Sequence, residues 1–186
     1  VTQEFRVVSG GWVAGVYGKA MNEKNDATGY LYGGDATEMT SDYDFSVTAG
    51  YGQFQLPIGD RMVVKGNIRV ETNAIRYDGT AGGYDDRYQF VTLGPVNYEI
   101  DHILVGGKGA VQFLLTPTSR LFATLARGYK AGGVNQHPYL TETNRLYDPE
   151  YILNAEVGYR LAGESLTLSS VLFAARRTGQ QVSISS

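Results

Sequence analysis

The feature that most constrains this chain is a length asymmetry between the links that join its strand-like runs. The links go short, long, short, long, short, long, short. Tight turns sit at Ser9-Gly10-Gly11, Pro57-Ile58-Gly59-Asp60, Thr116-Pro117-Thr118-Ser119 and Ala162-Gly163-Glu164. Polar, Gly- and Tyr-rich excursions lie between them at about 22–43, 78–99 and 131–148. An up-and-down meander puts alternate links at opposite ends of its strands. All short turns then lie at one end and all long loops at the other, as in bacterial outer-membrane barrels.

Eight strands are expected, at about 2–8, 11–21, 44–56, 61–77, 101–115, 120–130, 150–161 and 165–178. Several exceed ten residues, roughly twice the common globular strand and enough to cross a hydrocarbon layer at a tilt. Alternation is clearest in three of them. Met62, Val64, Ile68 and Val70 oppose Lys65, Asn67, Arg69 and Glu71, with Val63 as the exception. Tyr151, Leu153, Ala155, Val157 and Tyr159 oppose Asn154, Glu156, Gly158 and Arg160, while Ile103, Val105, Val111 and Phe113 oppose Lys108 and Gln112. Period 2 of this kind specifies a sheet with one apolar and one charged face. In a barrel the charged residues Lys65, Asn67, Arg69, Glu71, Lys108, Gln112, Asn154, Glu156 and Arg160 face the lumen, where they either line a wet pore or pair across the wall. Faces are not assignable over 12–20 and 121–129, and an apparent change of phase near Gln53 suggests a bulge. Trp12, Phe45, Tyr77, Phe113, Phe122, Tyr129, Tyr151 and Tyr159 fall near strand ends, as interfacial girdles would.

Composition narrows the classes. Hydrophobic residues make up 42% of 186, too many for a disordered chain, and no run approaches the 18 or so apolar residues of a spanning helix. A barrel strand escapes that test because every second residue is polar. The net charge is −3 with no basic patch, which excludes a nucleic-acid partner, and Cys is absent. Enzyme signatures are missing, and neither a metal nor a cofactor is expected. His102 and His137 stand far apart and read as loop residues. Asp85-Asp86 lacks the wider EF-hand pattern, and Gly106-Gly107-Lys108-Gly109 lacks the spacing of a phosphate loop and reads as strand. Tyr77-Asp78-Gly79 reads as a strand end turning into a loop.

The run Ser119-Arg120-Leu121-Phe122-Ala123-Thr124-Leu125-Ala126-Arg127-Gly128-Tyr129-Lys130-Ala131-Gly132-Gly133-Val134-Asn135 resembles a stretch in the barrels of TonB-dependent outer-membrane receptors. There a strand ends in Arg-Gly-Tyr/Phe-Lys and opens into a Gly-Gly-aromatic-Asn loop; Val134 stands where Phe is more usual. Tyr147-Asp148-Pro149-Glu150-Tyr151 with Asn154, Glu156 and Gly158 is similar to the family's returning strand, and Trp12-Val13-Ala14-Gly15-Val16-Tyr17 to an early one. Tyr51-Gly52-Gln53 and Arg176 to Val182 also fit. Gly132-Gly133 would let the chain leave the sheet through dihedrals other residues avoid.

The resemblance implies an all-β, antiparallel up-and-down transmembrane β-barrel segment of about eight strands, part of a larger barrel of about 22 strands. Residues 1–186 would be a partial barrel in the bacterial outer membrane, without the plug domain. It implies energised uptake of a ligand such as a ferric siderophore, haem, cobalamin or a glycan. The implied partners are outer-membrane lipid and lipopolysaccharide, a plug domain and the TonB energy-coupling protein (both outside this chain), and a ferric chelate or similar small ligand. Ligand contacts are expected on the long loops, at Tyr84, Arg87, Tyr88, Asn135, His137, Tyr139 and Arg145. Two other architectures carry the same alternation: a self-contained eight-stranded barrel with a structural or adhesive role, and a soluble β-sandwich binding module.

Overall fold

The computed structural model describes residues 1–31, 36–84, 89–137, 140 and 142–182. Its main element is a single eight-stranded antiparallel sheet. The strands are β1 (Thr2–Ser9), β2 (Trp12–Leu31), β3 (Ala36–Ile58), β4 (Met62–Tyr84), β5 (Phe90–Thr116), β6 (Ser119–Lys130), β9 (Glu150–Ala162) and β10 (Thr167–Thr178). Their spatial order is β1-β2-β3-β4-β5-β6-β9-β10, an up-and-down meander with β1 and β10 as its edges. The short elements β7 (Gly133–Val134), α1 (Glu142–Arg145) and β8 (Leu146–Tyr147) lie between β6 and β9, with β7 paired to β8. The four tight turns gather at one end, as the link lengths predict. Gly11 (φ 95°) and Gly59 (φ 59°) supply the left-handed residues that two of them need.

Register assigns the faces throughout. Antiparallel partners project to the same side. The pairs Arg69↔Tyr51, Tyr51↔Gly15 and Gly15↔Arg6 therefore carry one polar face from β4 to β1, and Asn67↔Lys108, Lys108↔Ala126 and Ala126↔Asn154 carry it to β9. All nine residues expected to face a lumen stand on this face. The opposite face bears Phe5, Val16, Phe54, Ile68, Ile103, Phe113, Leu125, Val157 and Leu172 as an exposed apolar wall, with Ile68 55% and Val157 58% accessible. No second sheet covers it among the described residues, as a sandwich would require, and β1 does not pair with β10 there, as a closed eight-stranded barrel would require. Arg127 shares the apolar face with Leu121 and Leu125; its guanidinium donates to the Val105 carbonyl (2.8 Å) and lies 4.4 Å from the centre of the Tyr151 ring.

Several sequence expectations are corrected here. Most of 22–43 and 78–99 is strand, because β2–β3 pair on to Leu31↔Ala36 and β4–β5 to Tyr84↔Phe90. β1 reaches only Lys19 of β2, and β6 only Gly107 of β5, so β2–β5 rise past their neighbours as a four-stranded extension. Polarity inverts in that extension. Its outer face carries Asn22, Lys24, Asp42, Asp44, Arg76, Asp78 and Glu99, and the face continuous with Arg69 and Glu71 becomes apolar, with Phe45, Ile75, Tyr77 and Ile100. The change of phase in 45–56 is this inversion. No bulge occurs there, since β3 and β4 stay in register from Glu38↔Gly82 to Ile58↔Met62. Polar residues in an extended run look like loop only when the environment is assumed constant along the strand.

Ring placement also departs from expectation. Trp12, Phe113, Tyr151 and Tyr159 lie on the face of Ile68 by register, but Phe45, Tyr77 and Phe122 lie on the face of Arg69. For these seven, ring direction follows residue parity, not distance from a strand end. Tyr77, expected at a strand end, is mid-strand and only 2% exposed. His102, read as a loop residue, instead belongs to β5 opposite Asn73, while Gly106–Gly109 are strand, as expected.

Placing a charge on the exposed apolar wall tests its role. In lipid, Ile68→Arg should destabilise the folded chain by about 2–4 kcal/mol, and Asn67→Arg, one residue along on the polar face, by about 1 kcal/mol or less. Denaturant titration in vesicles reads both values; equal costs would contradict the face assignment.

Candidate functional site

The polar face holds a connected set of groups at mid-height. Arg69 Nη2 lies 2.7 Å from Glu71 Oε2, and its Nε–H donates to the same oxygen at 2.8 Å. The Tyr129 hydroxyl donates to that oxygen at 3.2 Å. Register alone would set Tyr129 beside Tyr151 on the other face. It crosses over because β6 leaves β5 after Arg127, so that its ring comes down over Gly106, where a Cβ would lie 2.8 Å from the ring. The Arg69 guanidinium also stacks 5.1 Å from the Tyr17 ring centre, and the Tyr51 hydroxyl donates to Glu4. Asn154 donates to Glu156 at 2.7 Å, and Arg160 covers the Phe122 ring at 5.0 Å. The Arg69–Glu71 and Asn154–Glu156 contacts therefore run along a strand at i, i+2 instead of across the wall.

Above this network, the described residues of the third excursion, 131–137, 140 and 142–148, fold onto the same face. Val134 (8% exposed) packs with Ile75 and Tyr77, bordered by Tyr43, Phe45, Val96, Tyr98 and Ile100. The excursion is internally bonded. Gly133 and Val134 pair with Tyr147 and Leu146, the Asn135 N–H donates to the Arg145 carbonyl (2.7 Å), and the Arg145 guanidinium donates to the Leu140 carbonyl (3.1 Å). Gln181, just past β10, grips both ends, donating from Nε2 to the Ala131 (2.8 Å) and Asp148 (3.0 Å) carbonyls. Its own N–H donates to Glu150 Oε2 at 3.0 Å, and Arg177 pairs with Glu150 at 3.1 Å. Gly132 and Gly133 do not have positive φ, contrary to expectation. Gly132 is needed for close approach, since a Cβ there would collide with the Tyr147 carbonyl oxygen and lie 2.7 Å from His102 Cε1. Burial of Tyr43 under this packing pushes its phenol pKa up, with Tyr147 and Glu23 adding to the shift.

The expected ligand residues divide accordingly. Asn135 and His137 both lie on the docked excursion, where Asn135 Oδ1 accepts the His137 N–H at 3.1 Å. Arg145 is buried within it (6% exposed). Tyr84 stands apart at the tip of β4, edge-on to Phe90 at 5.4 Å. Arg87, Tyr88 and Tyr139 lie outside the described residues, as does the Asp85-Asp86 pair. Between the excursion and the segment after β10 runs a groove of about 830 Å³, whose polar lining includes Lys130, Asn135, Gln136, Asn144, Tyr147 and Gln180. Sequence reasoning missed the anchoring roles of Val134 and Gln181. It also missed Asn73 and His102, paired across β4–β5, whose Oδ1 and Nδ1 are buried without a hydrogen-bond partner. Only the contact of Gly132 with His102 could have hinted at the last two, and no linear pattern encodes it. Among the described residues no group of three or more His, Asp or Glu side chains is arranged to hold a metal ion.

Two outcomes follow from these charges. Glu71→Gln removes the partner of a half-buried Arg69 and should cost about 1–2 kcal/mol in denaturant unfolding, with Tyr129→Phe nearer about 1 kcal/mol. On the extension's outer face, hydrogen bonds from Lys24 (2.7 Å) and then Asn22 (2.7 Å) hold the Asp42 pKa below the ordinary carboxylate value. That contribution is present at neutral pH and is lost as pH falls below about 4, through the lowered folded value. Amide protection around Asn22–Lys24 and Asp42–Asp44, relative to the intrinsic exchange rate at each pH, should fall over that window, and Asp42→Asn should remove this acid dependence.

Comparison with known proteins bears on the architecture. The family model described as "TonB dependent receptor-like, beta-barrel" matches residues 2–186. A search of curated proteins gives no match. Among solved structures, the chain is similar to the ferric yersiniabactin uptake receptor FyuA from Yersinia pestis, with TM-score 0.69, 20% identity, and 97% of this chain and 29% of that chain covered. It is also similar to the ferric-catecholate import receptor Fiu from E. coli K12, with TM-score 0.66, 16% identity, and 92% of this chain and 30% of that chain covered. The chain thus spans under a third of the length of either receptor. With an open up-and-down sheet matched along nearly its whole length, the chain belongs to the TonB-dependent receptor β-barrel family.

Proposed function

We propose that this chain forms part of the barrel of an outer-membrane receptor for energised uptake of a small ligand, a ferric chelate being the leading class. The family is one of outer-membrane receptors, and both solved neighbours are iron-chelate receptors by name. The observation that carries the reading is the docking of 131–137 and 142–148 on the face continuous with Arg69, above the Arg69–Glu71–Tyr129 network. In a closed barrel that face lines the lumen, so the excursion's amides and the adjoining groove stand where an entering ligand would pass. The exposed wall bearing Ile68 and Val157 then meets acyl chains, and the charged outer face of the β2–β5 extension meets water and lipopolysaccharide above them.

On this reading the mechanism has two parts. Asn135, Gln136 and His137 supply hydrogen-bond donors and acceptors on a surface walled by apolar packing, which suits capture of a polar chelate. Release inward requires a plug domain and the TonB protein. The lumen charges Lys65, Lys108 and Arg160 keep the lower wall hydrated for that passage.

Uptake of ⁵⁵Fe-loaded hydroxamate and catecholate chelates by iron-starved cells carrying only the complete receptor is the direct test. Uptake of at least one chelate should collapse when a protonophore is added. Asn135→Ala with Gln136→Ala should raise the half-saturating concentration by about tenfold, equivalent to about 1.4 kcal/mol. Energy-independent leakage of all chelates alike would sink the receptor reading.

A further inference from the structure

We infer that residues 131–137 and 142–148 form a fixed lining of the barrel wall, positioned by Val134, Arg145 and Gln181, and do not swing as a capture loop. This rests on the uptake reading only for its functional consequence; the mechanical claim stands on the geometry alone.

Three separate restraints act on the segment. The first is apolar. In the extension the face continuous with Arg69 carries Phe45, Ile75, Tyr77, Val96, Tyr98 and Ile100, and Val134 packs into the middle of it. Undocking would return an aromatic and aliphatic patch to water, which the hydrophobic effect opposes. The inverted polarity of β3–β5 fits this docking: these strands turn their apolar side toward the place where the excursion lies. The second restraint is internal. The β7–β8 pairing and the Asn135 to Arg145 backbone bond make the segment a folded unit, and the buried Arg145 guanidinium ties the Leu140 carbonyl into it. The third is at the neck. One side chain, Gln181, bonds the carbonyls of Ala131 and Asp148, closing the two ends together, while Gly132 lets the backbone lie against His102. A hinge needs a few residues free to change dihedral angles, and both ends here are held.

The consequence is pre-organisation. Asn135 and Gln136 meet the ligand in the positions they hold without it, so no ordering entropy is lost at that surface. Any closing motion must come from other loops or from the plug.

Hydrogen exchange on the complete receptor in lipid, with no ligand added, tests the mechanical claim. The amide of Asn135, bonded to the Arg145 carbonyl, should exchange at least 100-fold more slowly than in an unstructured chain. Val134→Asp and Gln181→Ala should each erase most of that protection while β9 amides stay protected. Exchange of 131–137 at open-loop rates in the wild type would overturn the inference, whatever the uptake result. The positioning role is read in uptake of the same ⁵⁵Fe chelates. Gln181→Ala should raise the half-saturating concentration about tenfold with maximal uptake unchanged, and Gln181→Glu, which cannot donate to both carbonyls, should behave alike. A fall in maximal uptake with unchanged half-saturation would mark Gln181 as part of the transport step and overturn the positioning role. Absence of energised uptake with protected amides would reject the uptake reading and leave the fixed lining standing.

Discussion

Every part of this structure depends on backbone hydrogen bonding that must be completed whatever solvent surrounds the strand. A β-ladder satisfies its own N–H and C=O groups, so it can pass from one environment to another without interruption. Side chains then adapt to each environment separately. The β3–β4 pairing shows this directly: one unbroken register runs from Glu38↔Gly82 to Ile58↔Met62, while the apolar side changes from one face to the other along the way. Below the inversion, Ile68 and Phe54 look outward. Above it, Ile75 and Phe45 look to the face that bears Arg69.

This inversion links the sheet to its long excursion. Among the described residues a conventional core scarcely exists, since few hydrophobic side chains are buried, and the largest fully buried ones are Tyr77 and Leu104. Among the described residues, the small cluster around Ile75, Tyr77 and Val134 joins the excursion to the wall through apolar surface. Lower down, the same face is polar and is satisfied locally, through Arg69, Glu71 and Tyr129 or Asn154 and Glu156. Charges there lose less by pairing in place, where water still reaches them, than they would if buried without partners. The outcome is one face with two functions: a hydrated stretch, and an apolar seat for the segment that carries Asn135 and Gln136.

Much of the architecture was legible in the sequence. The link lengths specified the meander and put the tight turns at one end. Period-2 alternation in 62–71, 103–113 and 151–160 specified which residues share a face. The stretch from Ser119 to Asn135, with the return at Tyr147–Glu150, carried the family resemblance. The errors have one source. Polar runs at 22–43 and 78–99 looked like loops, and the phase change in 45–56 looked like a bulge, because a single inside and outside was assumed for each strand. The candidate site was legible only in part: Asn135 and His137 belong to the docked excursion, while Tyr84 stands apart at a hairpin tip and Arg145 is buried.

The sequence by itself determined the sheet, its turns and its faces, because alternation and turn chemistry are local and survive without knowledge of neighbours. Only the tertiary structure decided where the third excursion goes. Val134 meets Ile75 and Tyr77 across about sixty residues of chain, and Gln181 reaches Ala131 and Asp148 from the far side of β10. Such contacts depend on the curvature of the wall and on β6 leaving β5 after Arg127. Those are properties of the assembled sheet, and no periodicity within one strand can encode them.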